Sequence, residues 1–220
     1  MIKVCHLSSV HRPKDTRVFF KQCRSLAAAG YDVTLVVRCD EAEEIDGVKF
    51  VPFKQIKNRL LRILFSPFRM LRMALKQKAA LYHFHDPELI PVGIWLRLLG
   101  KKVIYDVHED VPKQILDKTY IKPHFVRKIV SFCVKLVEKF GVLFVTHVIP
   151  ATPDISKNFN PKKSTIVRNV PLLELIHSDF VPKLEKTKPV VVYGGVLSRM
   201  RGLKQIVQAM EHVGDRAELW

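Results

Sequence analysis

Acidic residues are scarce in this chain. Its 220 residues carry 21 Asp and Glu against 37 Lys and Arg, a formal charge of +16. From Gly47 through His85 there is no acidic residue at all. Such a surplus points to anionic partners: nucleic acid, an anionic membrane face or phosphorylated small molecules. Cysteine is sparse too. Cys5, Cys23, Cys39 and Cys133 stand far apart, and no pair has metal-ligand spacing. That excludes a disulfide framework and suits a reducing compartment. No apolar run reaches the roughly 20 residues that span a bilayer. The longest candidate, Val126 to Val148, is interrupted by Lys135, Glu138 and Lys139. The opening MIKVCHLSS is too short and polar for a secretory leader, so a cytoplasmic chain is expected. There is no internal repeat, and the nine glycines form no GxGxxG.

What is present is an alternation of short apolar runs and helical patterns. Ile2 to Leu7 reads as a buried strand. Asp15 or Thr16 can cap a helix that runs to about Ala29 and closes at Gly30. Asp32 to Arg38 is the next strand, so the opening is a βαβ unit with a parallel sheet. Asp40 to Asp46 reads as an acidic turn and Val48 to Phe53 as a strand. Further strands fall at Ala80 to Phe84, Lys102 to Val107, Thr146 to Ala151 and Ser164 to Arg168. Helices fall at Pro87 to Leu99, Pro112 to Asp117, His124 to about Gly141 and Pro153 to Phe159. The fold class is α/β: a Rossmann-like parallel sheet with helices on both faces, occupying 1–170. Residues 171–188 carry charges and prolines without period and read as a linker. Residues 189–220 start a second Rossmann-like domain: strand Pro189 to Gly195, helix Arg201 to His212, strand Arg216 to Trp220. A lone βαβ unit cannot bury both sheet faces, so this part is expected to be incomplete.

Between Lys54 and Lys78 lie eight cationic residues. Ser66-Pro67 is expected to divide this stretch into two helices. Leu60, Leu64, Pro67, Leu71 and Leu75 form a core-facing stripe at helical spacing. Leu61, Phe65 and Phe68 form a second stripe. With Arg62, Arg69 and Arg72 it makes the apolar-plus-cationic pattern of a helix lying on a membrane; a solvated basic face would read the same way.

Polar clusters end two strands: His83, His85, Asp86 and Glu88, then Asp106, His108, Glu109 and Asp110. Open parallel sheets bind ligands outside the carboxyl ends of their strands. His83 and His85 face one side and, with Asp86, could ligate zinc or iron. A strand buried on both faces favours packing instead, and no metal is expected. His108 beside Glu109 can donate, accept or shuttle a proton near neutral pH. Gly194 and Gly195 let backbone N–H groups approach a phosphate at a helix N-terminus, and Arg199 and Arg201 add forked donors.

The order DTRVFFKQCRSLAAAGYDVTLV, HFHDPELIPVG, VIYDVHEDVP, IVRNVP and VVVYGGVLSRMRGL resembles the family 4 retaining glycosyltransferases. It is most similar to bacterial members that assemble capsular or cell-surface polysaccharide. The resemblance implies a GT-B pair of Rossmann domains, with an acceptor in the first and a nucleotide-sugar in the second. His108 matches the active-site histidine beside the transferred sugar. His85 and Asp86 match a cleft-lining loop, and Asp106, Glu109 and Asn169 belong with them. Gly194, Gly195, Arg199 and Arg201 fall on the donor-diphosphate turn, although Val196 stands where the family has an arginine. The family's two-glutamate motif is expected beyond residue 220, so the chain alone is expected to transfer no sugar efficiently. The partners implied are a nucleotide-sugar co-substrate, a lipid-linked or polysaccharide acceptor and an anionic membrane surface. The location is the inner face of the cell membrane, with no cofactor. Two alternatives stand beside this: a GT-B epimerase acting on the nucleotide-sugar, and a basic nucleic-acid-binding module. The second would want aromatics interleaved with basic residues, and here the Phe residues follow core spacing.

Overall fold

The computed structural model describes all residues except 55, 57, 119, 173–187, 196 and 198–200. Two compact units divide it, Met1–Leu172 and Leu173–Trp220. The expected linker lies almost wholly outside the described residues.

The first unit is built on a seven-stranded sheet. Its strands are β1 (Lys3–Leu7), β2 (Asp32–Val37), β3 (Glu43–Ile45), β4 (Val48–Pro52), β5 (Leu81–Phe84), β6 (Lys102–Val107) and β7 (His147–Pro150). The order is β3-β4-β2-β1-β5-β6-β7, and every pairing except β3 with β4 is parallel. The chain leaves β1 toward β2 and returns on the other side to β5. The gap between β1 and β5 is therefore the topological switch point, where ligands bind in sheets of this kind. Ser164 to Arg168, expected as a strand, instead runs beside β7. Thr165 and Val167 donate their N–H groups to the Val148 and Pro150 carbonyls. The expected acidic turn is a hairpin: Asp46 and Gly47 have φ of 51° and 74°, and β3 folds back on β4. Two positive φ values are what a two-residue type I′ turn requires, and Asp-Gly supplies them.

Side-chain alternation along the strands creates two different faces. One carries Cys5, Leu7, Tyr82, Phe84, Val103 and Tyr105 against α2 (Arg59–Gln77), α3 (Ile90–Leu98) and α5 (His124–Phe144). The other carries Val33, Leu35 and Phe50 against a π-helical turn, Thr16–Cys23, that runs on into α1 (Arg24–Ala28). Asp15 caps the π-helix, its carboxylate accepting from the N–H groups of Arg17 and Val18. Next to this second core the same face bears His6, His83 and Asp106, all buried.

α2 departs from its sequence reading. It is one helix that continues through Pro67. It buries Ser66, Met70 and Ala74, while Leu64 and Leu75 of the expected core stripe are exposed and the side chain of Leu60 lies outside the described residues. Small residues let the helix approach β1 and β2 closely, and the packing of Met70 and Ala74 holds the turn that follows the proline. α4 (Val111–Asp117) and α6 (Pro153–Ser156) complete this unit.

The second unit contains β8 (Val190–Val191), α7 (Leu203–Val213) and β9 (Glu218–Leu219), with β8 and β9 parallel. All three elements are shorter than or shifted from the expected ones, and none of the described residues from 188 to 220 is buried.

Candidate active site

Three strand ends supply the site. The loop after β1 brings Ser8, Ser9 and His11, the end of β5 brings His85 and Asp86, and the end of β6 brings Asp106 and His108. His11 and Asp86 flank the switch point. Asp86 is buried, and its Oδ2 accepts from Ser8 Oγ at 2.9 Å and from the Ser9 N–H at 2.6 Å. Its Oδ1 lies 2.9 Å from His11 Nδ1. Burial alone would raise the Asp86 pKa; the hydrogen bonds from His11, Ser9 and Ser8 outweigh it and lower it. Burial likewise opposes charge on His11, yet Asp86 raises the His11 pKa above its ordinary value.

The far nitrogen of His11, Nε2, sits 3.0 Å from His108 Nε2. Two N–H groups cannot face each other at that distance, so one proton is shared between the two rings. His108 Nδ1 points toward Asp106 Oδ2 at 3.6 Å, beyond hydrogen-bond reach. The result is a pair of imidazoles held between two buried carboxylates, a setting suited to moving a proton or stabilising developing charge.

Asp106 is the second anchor. Arg17 grips it with two donors, Nη2 to Oδ1 at 2.6 Å and Nε to Oδ2 at 2.9 Å, and Gln22 Nε2 donates at 3.1 Å. His85 Nδ1 donates to Oδ2 at 3.0 Å. Burial would raise the Asp106 pKa; His108, His85 and Arg17 hold it well below the usual carboxylate range. On the other side of the ring, His6 Nδ1 faces His85 Nε2 at 3.0 Å. His6 Nε2 and His83 Nε2 are left buried without a hydrogen-bond partner. Among the described residues, His6, His83 and His85 are the group whose ligand atoms come within 4.8 Å of one another. The 3.0 Å His6–His85 approach is hydrogen-bond spacing with the two nitrogens aimed at each other, which suits a shared proton better than a common metal ion.

A cavity of about 670 Å³ opens over this layer within the first unit. His11, Arg17, His108, Glu109, Arg168 and Asn169 are among its lining residues. Lys21 donates to the Asn169 side chain at its rim. Of the residues expected to line a cleft, Glu109 and Asn169 do so. His85, Asp86 and Asp106 do not: they are buried behind the cavity, because each carries a charge or ring that needs several partners. His11, Arg17, Ser8 and Ser9 were not singled out from the sequence. Extending the strand-end rule to β1 would have flagged the polar run that follows it.

In the second unit, Gly194, Gly195 and Arg201 are exposed. A Cβ on Gly195 would stand 3.0 Å from Arg201 Nη1, so the guanidinium lies against the glycine. Gly202, at φ 71°, occupies the N-cap of α7. Arg199 lies outside the described residues.

A parallel α/β sheet with its polar site at the strand ends is a Rossmann-like architecture. Residues 16–159 match the glycosyl transferase 4-like domain, and the chain belongs to that family. No curated protein matches it. Among solved structures it is similar to sucrose-phosphate synthase from Thermosynechococcus elongatus, at 18% identity and a TM-score of 0.75, covering 100% of this chain and 61% of that one. It is similar to Anabaena HepE in complex with UDP, at 12% identity and a TM-score of 0.66, covering 100% and 62%. It is also similar to a putative UDP-N-acetylglucosamine 2-epimerase from Listeria monocytogenes, at 12% identity and a TM-score of 0.59, covering 99% and 61%. At these identities the likeness concerns the fold. The chain spans about three fifths of the length of each.

Proposed function

We propose that this chain serves the transfer of a sugar from a nucleotide-diphosphate donor to a lipid-linked or polysaccharide acceptor, in cell-surface polysaccharide synthesis. The observation that carries the reading is the His11–His108 pair, set between buried Asp86 and Asp106 and opening on the cavity at the strand ends. His108 stands beside the transferred sugar and stabilises charge as the bond to the diphosphate breaks. The transfer retains configuration, and the leaving phosphate serves as base. Gly194, Gly195 and Arg201 hold the diphosphate; the arginine and the N-terminus of α7 supply positive charge, so no metal is required. That HepE holds UDP supports a uridine nucleotide as the first donor to try. The acceptor enters the cavity past Glu109 and Asn169. The chain works at the inner face of the cell membrane, where α2 presents Phe65, Phe68, Arg69 and Arg72, all exposed. Arg62 is not part of that face: it turns inward and pairs with Glu88 at 3.4 Å.

In a protein that carries a complete donor domain beside this one, His108→Ala should lower turnover by about a hundredfold, the range of lost proton-transfer or charge-stabilising contacts. Turnover near that of the wild type would assign the ring to packing. The likeness to a 2-epimerase favours a second reading, in which the nucleotide-sugar is itself the substrate. Incubation with donor alone separates the two, since only an epimerase converts it without acceptor.

A further inference from the structure

Besides the exposed stripe of α2, the first unit carries a long apolar surface on α5. Phe125, Ile129, Phe132, Leu136, Phe140 and Leu143 are all exposed, Phe132 to 61% and Leu143 to 69%. Their spacings of four, three, four, four and three residues place them in one straight row at about 100° per residue, roughly 27 Å long. The row lies opposite Ser131, Glu138 and Gly141, which are buried. Lys128, Lys135 and Lys139, all exposed, line one flank of it. α5 packs on α3, and α3 packs on α2, so the three helices form one layer over the same face of the sheet. α3 adds exposed Trp95 and Leu98, and α2 adds Phe65 and Phe68. The one acidic side chain on these three helices, Glu138, is buried and accepts from the Tyr105 hydroxyl at 3.0 Å.

We infer that the outer surface of this layer, with α5 as its main element, docks on an anionic lipid bilayer, α5 lying flat with its apolar row in the acyl boundary. The inference deepens the membrane part of the proposed function and rests on it. Charge decides the occupant. The layer offers apolar side chains and cations with no exposed carboxylate, which complements anionic headgroups and repels another basic surface. A second copy fits poorly. An antiparallel two-fold pairing of α5 would set the lysine rows against each other, and a parallel one would set them on Val130 and Val137. No helix among the described residues is long and apolar enough to cross a membrane, so the helix lies on the bilayer rather than through it. Lysine stems can lie along the apolar row while their ammonium groups reach the phosphates.

The test is binding of the full chain to vesicles of phosphatidylglycerol and phosphatidylcholine, and to vesicles of phosphatidylcholine alone, without donor or acceptor. Trp95 and Trp220 are the two tryptophans, so a Trp220→Phe chain makes Trp95 a reporter of burial in the lipid. The wild type should sediment with the anionic vesicles, blue-shift its Trp95 emission and be released by salt. Phe132→Glu with Leu136→Glu should weaken binding at least tenfold, and Lys128→Glu with Lys135→Glu and Lys139→Glu should do likewise. Both variants alter exposed positions, and unchanged circular dichroism would confirm that they fold. Wild-type binding by both folded variants would overturn the role of α5 and leave a membrane role to α2. Absence of wild-type binding would overturn the membrane reading as a whole, while the turnover test of His108 would still stand. A wild-type dimer that the Phe132 and Leu136 changes dissociate would give the surface to a second copy instead.

Discussion

His83 is buried among two other histidines, and burial pushes its pKa down to about 3. His6 beside it is lowered well below its ordinary value by burial and by His83 and His85. The sign of the consequence follows from proton counting. Between the unfolded value near 6.5 and the folded value, the unfolded chain binds a proton that the folded chain does not, so stability falls as pH falls. At pH 5 the loss from His83 is about 2 kcal/mol, or roughly 4–8 °C in the unfolding midpoint of a unit this size. A melting series from pH 7 to 5 should show the decline, and His83→Asn should flatten it. An unchanged slope would mean that the ring titrates in the folded state. His11, whose pKa is raised, opposes this in part, since its contribution is present at low pH and lost as pH rises through the folded value. Asp86 and Asp106 act in a separate window: their lowered values give stability above the ordinary carboxylate pKa that is lost on further acidification. At the same scale, Asp86→Asn should lower the His11 pKa, because the partner of its Nδ1 proton loses its charge. Ring-proton NMR titration would read this without any substrate, and an unmoved midpoint would detach Asp86 from the His11–His108 pair.

Elements here are placed by small residues as much as by large ones. α5 approaches α3 at Gly141, where an added Cβ would collide with Ile90 Cγ2. α3 approaches β5 at Gly93, where it would stand 2.6 Å from Phe84 Cε1. Gly141→Ala should therefore cost about 1–3 kcal/mol despite its better helix propensity, as overpacking does. Denaturant unfolding would measure it, and a neutral or stabilising result would show that α5 can slide on α3. The same logic governs α2, where Ser66 and Ala74 admit the helix to the sheet and the bulky Leu64 and Phe68 remain outside.

At the level of the whole molecule the two units differ in what holds them. The first has a seven-stranded sheet with an apolar core on each face. The second pairs two strands of two residues each. With so little buried surface, its amides are expected to open first. Hydrogen exchange should reach Pro189 to Trp220 well before the strands β1, β5 and β6. Equal protection of both would mean that the second unit draws stability from contacts beyond its own strands.

The sequence by itself determined the alternation of strands and helices, the parallel sheet and the strand ends at which the site lies. Short apolar runs, caps such as Asp15 and stops such as Gly30 act over a few residues, so they can be read locally. It also singled out His108, Glu109 and Asn169, which the fold brings to one cavity. Tertiary structure alone decided that His85, Asp86 and Asp106 stand behind that cavity. The burial of Asp86 and Asp106 depends on Ser8, Ser9, His11 and Arg17, partners 75 to 89 positions away along the chain. It alone decided which stripe of α2 faces the core, since two apolar stripes compete on that helix and only the closeness of the sheet selects the smaller side chains. It alone left the apolar row of α5 outside, because a periodic pattern shows that a helix has an apolar face but not whether anything covers it.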